Sequence, residues 1–109
     1  MAMERGKQHR LEAAKLRLEQ LLEGSPITMG LYVRRWSNHL ILGRMEPFGP
    51  NGELEADDRL RLTARSASMY SLSVRRHTGR WEQTPFTGSL EDLVDVIWSY
   101  MQHLVAPRL

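Results

Sequence analysis

The chain of 109 residues contains no cysteine. Disulfides, zinc–thiolate and iron–sulfur sites and thiol catalysis are therefore excluded. It has no long apolar run, so no segment suits a membrane-spanning helix, and no secretory signal pattern opens it. No membrane partner is expected, and a soluble, cytoplasmic protein is the expectation. Glycines 43, 49, 52, 79 and 88 are scattered as turn formers, and no glycine-rich loop is present to cradle a phosphate. Lysine is scarce, with two residues against thirteen arginines. That bias fits either a GC-rich genome or a use for guanidinium chemistry. Internal repeats and low-complexity stretches are also absent.

What remains is an ordinary globular composition, 41% hydrophobic and 26% charged, in a length that suits one domain and not two. The whole chain, 1–109, is read as a single domain, with residues 1–6 expected to fray. The formal charge of +2 hides a segregation. Residues 24–80 hold nine arginines and five carboxylates, whereas residues 81–109 hold one arginine and four carboxylates. All five middle carboxylates (Glu46, Glu53, Glu55, Asp57, Asp58) fall between positions 46 and 58.

An amphipathic helix is predicted from about Met3 to Glu23. Leu11, Ala14, Leu18, Leu21 and Leu22 recur at three- and four-residue spacing, and Gly24 and Pro26 stop it. Period-two alternation then takes over. Met29, Leu31 and Val33 alternate with Tyr32 and Arg34, and Ser37-Asn38 suits a tight turn into a second strand around Leu40 and Leu42. Prolines, glycines and acids from 46 to 58 predict a long exposed loop. A third strand carries Leu60, Leu62 and Ala64 on one face, and a fourth carries Tyr70, Leu72 and Val74. A fifth runs from Arg80 to Thr84 and stops at Pro85. Ser89, with Asp92 three residues on, predicts a capped helix that continues to Pro107.

This order predicts an α+β two-layer sandwich: an antiparallel meander of four to five strands, flanked in sequence by an N-terminal and a C-terminal helix packed on one sheet face. The helix–meander–helix order is similar in outline to frataxin-like and secretion-chaperone-like domains. The acidic first-helix and strand surface of an iron-handling frataxin is missing, so the likeness implies shape and no function.

No catalytic constellation is legible, and an enzyme is not expected. His9, His39, His77 and His103 lie in four different elements without ligand spacing, and no glycine-flanked serine elbow exists. No cofactor or metal is expected. Glu53, Glu55, Asp57 and Asp58 lack the spacing of a calcium loop; they read as a solvated acidic loop, or as one that folds over neighbouring arginines and neutralises them.

Two surfaces stand out. The sheet face away from the helices is expected to display Tyr32, Arg34, Arg59, Arg61, Arg65 and Arg75, with Thr63, Ser71 and Ser73 interleaved and Trp36 at a strand end. Arginines beside aromatic rings can hold single-stranded nucleic acid by phosphate contacts and base stacking. The second surface is the C-terminal helix, where Trp98 and Tyr100 lie off a broad apolar stripe that includes Met101, and these three are candidates for an interface. Trp81, Pro85 and Phe86 are expected to pack beneath that helix. The leading expectation is a non-catalytic protein-interaction module, of adaptor, chaperone-like or inhibitor type, that forms a homo-oligomer or takes a protein partner. The alternative is a single-stranded nucleic-acid binder that uses the arginine face.

Overall fold

The computed structural model describes the backbone of residues 2–108 and the side chains of residues 9–108. Helix α1 spans Ala2–Leu22, and strands β1 (Tyr32–Trp36), β2 (His39–Phe48), β3 (Glu53–Ala64), β4 (Tyr70–Arg75) and β5 (Trp81–Gly88) follow. Helices α2 (Leu90–Tyr100) and α3 (Gln102–Val105) complete the chain. The fraying expected for residues 1–6 concerns side chains outside the described residues, and the backbone from Ala2 belongs to α1.

The five strands form one antiparallel sheet in the order β1-β2-β3-β4-β5. Both main helices cover the same face. Leu18 and Leu22 of α1 and Leu93, Val94 and Ile97 of α2 pack with Leu40, Leu42, Leu60, Leu62 and Leu72 of the sheet. Each of these is at most 2% exposed, so removing most of one such side chain would cost about 2–5 kcal/mol. The α+β sandwich and meander are as expected.

The α1–β1 connection is anchored by a threonine that carries no sequence signal. Thr28 is fully buried, donates to the Leu22 carbonyl at 2.6 Å and accepts from Trp98 Nε1 at 3.0 Å. Ser37 opens the two-residue β1–β2 turn at φ 55°, the positive φ that such hairpins use. At α2, the Ser89 hydroxyl accepts from the Asp92 amide while Asp92 accepts from the Ser89 amide, completing the capping box.

Three local expectations need correction. Residues 46–58 are not a loop. They prolong β2 and β3 into a two-stranded ribbon, paired Met45↔Ala56, Glu46↔Glu55, Pro47↔Leu54 and Phe48↔Glu53. Only the residues around Gly49 and Gly52, both at positive φ, form the turn. Strand β5 does not stop at Pro85 but continues to Gly88. It is an edge strand, where a missing N–H is tolerated, and the ladder is irregular between Ser71 and Ser73. There the Thr84 hydroxyl donates to the Leu72 carbonyl. Finally, the last helix breaks at Met101 (φ −122°, ψ 22°), and α3 ends at Val105 ahead of Pro107.

A bulge completes the frame. Between Leu42/Gly43 and Leu60/Asp58 the register shifts, leaving Arg59 as the extra residue of β3. Two consecutive residues then oppose one partner, and strict alternation of faces is lost at that point.

Candidate functional site

The expected arginine face divides in two at the bulge. Arg59 is not on the open face. It is 5% exposed, and its guanidinium lies on the helix side, with Nη1 on the Leu104 and Ala106 carbonyls at 3.0 and 2.9 Å. Its Nη2 meets Glu46 at 2.9 Å and its Nε meets Asp57 at 2.8 Å. All three of its nitrogens are engaged, so Arg59 is a structural cation closing the C-terminal helix onto the sheet. Arg44 acts similarly, reaching the carbonyls of Ile27, Met29 and Val105.

On the open side, Asp58 sits among the remaining expected residues. Arg34 grips its carboxylate with two nitrogens at 2.6 and 3.2 Å, Tyr32 donates its hydroxyl, and Arg75 stands at 3.5 Å. Burial works against the charged form of Asp58. The hydrogen bonds from Arg34 and Tyr32 outweigh it, so the carboxyl is held below its ordinary range. Burial and the adjacent carboxylate push the Tyr32 phenol well above its ordinary value. The reading that the acidic segment folds back on the arginines is correct for Asp57 and Asp58, which neutralise Arg59 with Arg108, and Arg34 with Arg75, respectively.

Further across the face, Arg61 and Arg65 have no carboxylate partner among the described residues. Arg61 lies opposite Ile41 and Ser73, places its guanidinium carbon 4.9 Å from the Trp81 ring centroid, and leaves a buried Nε without a hydrogen-bond partner. Arg75 approaches the same ring at 5.5 Å. Arg65 bonds only neutral groups, the Ser71 hydroxyl at 2.9 Å and Gln83 at 3.4 Å. Trp81 is thus on the open face and not beneath α2, because it stands opposite Arg75 and shares that residue's side of the sheet. Trp36, 61% exposed, stacks on His39 at 5.7 Å. Burial, then the charges of Arg61 and Arg65, lower the His39 pKa, and its Nδ1 lies 2.8 Å from the Thr63 hydroxyl.

The expected C-terminal interface also divides. Met101 is buried in the chain's own core, and Trp98 is half-buried and hydrogen-bonded to Thr28. Tyr100 alone of the three is exposed, and it stacks on Phe86.

The surface that sequence reading missed is the ribbon. β1 pairs with β2 only as far as Gly43, and β4 with β3 only as far as Leu60. Beyond these points β2 and β3 form an arm, and the molecule is 47 Å long against 30 and 27 Å across. Glu46 and Asp57 face the helix side, where they meet Arg59 and Arg108. By alternation, Met45, Pro47, Leu54 and Ala56 share the opposite side, all of them exposed, Met45 by 51% and Leu54 by 63%. The signal was present in the sequence: Glu53-Leu54-Glu55-Ala56-Asp57 alternates strictly between acid and apolar.

Among the described residues no group of three or more histidines and carboxylates could hold a metal, and no helix is long and apolar enough to cross a membrane. The histidines lie apart, on α1, β2, the β4–β5 turn and α3. Comparison with known proteins finds no matching family model, no matching curated protein and no matching solved structure.

Proposed function

We propose that this chain is a non-catalytic protein-interaction module that engages its partner through the β2–β3 arm. The observation that carries this reading is the apolar side of the arm, formed by Met45, Pro47, Leu54 and Ala56 on a ribbon that no other element covers on that side. A two-stranded ribbon is marginal in water unless its apolar face is packed, and a contiguous exposed apolar patch rimmed by charge favours a protein contact. Acids along the other side of the arm keep it soluble before it docks. An adaptor, chaperone-like or inhibitor-type role in the cytoplasm accords with this surface.

The test compares the wild-type chain with Leu54→Asp as immobilised bait. The substituted position is exposed, so the fold is expected to survive, as circular dichroism would verify. Loss of the wild-type chain's specific partners, itself included, supports the reading. An identical partner set, with arm amides exchanging equally fast in both, sinks it.

One observation favours a second reading. The partnerless Arg61 Nε, the Trp81 ring beneath two guanidinium groups and the exposed Trp36 suit phosphates and unpaired bases, as in a single-stranded nucleic-acid binder. Binding of a fluorescent oligonucleotide that weakens steeply with salt and disappears in Arg65→Glu would support it. Binding indifferent to that substitution would not.

A further inference from the structure

We infer that Arg61 and Arg65 form a binding site for a phosphate monoester, a compact dianion held between their guanidinium groups on the open face of the sheet. The site goes beyond the interaction-module reading and shares no residue with the arm. It gives the arginines of the nucleic-acid reading to one phosphate group and not to a strand.

The two side chains lean the same way, across β4 toward β5. Arg61 reaches the Trp81 ring, and Arg65 reaches the Gln83 amide oxygen. Trp81 and Gln83 are two residues apart on that face of β5, about 7 Å along the strand. Ser73, 2% exposed, is the cross-strand partner of both Arg61 and Gln83 and lies beneath the gap. The two charges are close enough to feel each other. After burial, the charge of Arg65 is what lowers the Arg61 pKa, and both charges add to burial in lowering that of His39.

Like charges side by side are unfavourable unless an anion stands with them. Among the described residues none does, because Asp58 serves Arg34 and Arg75 while Arg61 and Arg65 meet no carboxylate. No N–H of Arg61 meets an acceptor among the described residues, its buried Nε included. Arg65 uses Nε on Ser71 and Nη2 on Gln83, which leaves Nη1 without a partner there. Both groups are nevertheless fixed, Arg61 by the Trp81 ring at 4.9 Å and Arg65 by its two neutral partners. Donors are thus in place before a ligand arrives.

The pair selects its ligand by charge and shape. A phosphate monoester carries a charge of about −1.5 to −2 near neutral pH and three strong acceptor oxygens, enough to serve both guanidinium forks at once. A carboxylate or a phosphodiester brings a single charge. A strand of diesters needs a longer row of cations, and this row ends at Asp58.

Calorimetric titration of the full chain with phenyl phosphate, in phosphate-free buffer, tests the assignment. One site per chain is expected, with an affinity about tenfold or more above that for dimethyl phosphate, a monoanionic diester. Arg65→Gln, at an exposed position, should keep the wild-type urea midpoint and lose about tenfold or more in affinity. Arg61→Gln should lose as much. In the wild-type chain the Arg61 Nε–H resonance should move with phenyl phosphate and stay still with dimethyl phosphate. A 5′-phosphorylated oligothymidylate that binds where its 5′-hydroxyl form does not would identify a strand end as the source of the monoester; binding of phenyl phosphate alone would identify a small phosphorylated molecule. No binding of phenyl phosphate, equal binding of dimethyl phosphate, or binding unchanged in both arginine variants overturns the inference. A 5′-hydroxyl oligothymidylate held more tightly than phenyl phosphate also overturns it and leaves the nucleic-acid reading standing. Leu54→Asp should leave phenyl phosphate binding unchanged, so the arm reading stands or falls on its own partners.

Discussion

The ring of Tyr32 occupies the space that a side chain at Gly43, its cross-strand partner, would need. A Cβ at Gly43 would collide with the Tyr32 phenol and with the Asp57 carbonyl. The absent side chain is what lets the Tyr32 hydroxyl cross β2 and reach Asp58 on β3. Glycine here serves close approach and not a special backbone angle.

Gly43→Ala is therefore expected to destabilise the fold by about 1–3 kcal/mol through overpacking, since one of the two obstacles is backbone. Urea unfolding provides the measurement. A companion Tyr32→Phe keeps the ring and loses only the hydrogen bond, so it should cost less. Equal losses would mean that the ring does not occupy that space.

Arg59→Met should lower stability by about 3–5 kcal/mol, because it removes the cation beside the half-buried Glu46 and leaves two helix-end carbonyls without their donor. The loss would appear as a lower urea midpoint with little change in the open face. Arg65→Ala, at an exposed position, should stay within about 0.5 kcal/mol of wild type. If the two variants were equally stable, Arg59 would not be the structural cation described above.

Acid should unfold the protein in two stages. The His39 pKa is lowered from 6.5, so the folded state prefers the neutral ring. Its contribution is complete above about pH 6.5 and declines as pH falls through the depressed folded value. Asp58, lowered from 3.8, contributes fully above about pH 4 and loses its contribution as pH falls through its own folded value. Thermal melts of His39→Gln should lack the first decline, and those of Asp58→Asn the second. Unchanged pH profiles in both would contradict the electrostatics of the open face.

Thr28→Val preserves shape but leaves the Leu22 carbonyl without its hydroxyl donor and Trp98 Nε1 without an acceptor. A loss of about 1–3 kcal/mol is expected, together with altered tryptophan fluorescence. A neutral substitution with unaltered emission would show that Trp98 is held by packing alone.

The elements that local periodicity controls were legible before any coordinates. The α1 face through Leu11, Ala14, Leu18 and Leu22, the β3 and β4 alternation and the Ser89–Asp92 cap need only neighbours three, four or two residues away. Together they determined the fold class and the face the helices cover. The candidate site was less legible, because it depends on partners distant in sequence. Residues 46–58 contain turn formers and charge, and only cross-strand pairs such as Pro47↔Leu54 make them an arm. Alternation put Arg59 beside Arg61, and one bulge residue moved it to the other side of the sheet. Trp98 is drawn inward by Thr28, seventy residues away, and Trp81 is drawn to the open face by its place opposite Arg75. Sequence by itself determined the two main helices, the presence of five strands and which stripe is buried. Tertiary structure decided which arginines are spent on helix ends and which remain exposed, because bulge position and cross-strand register depend on the whole sheet at once.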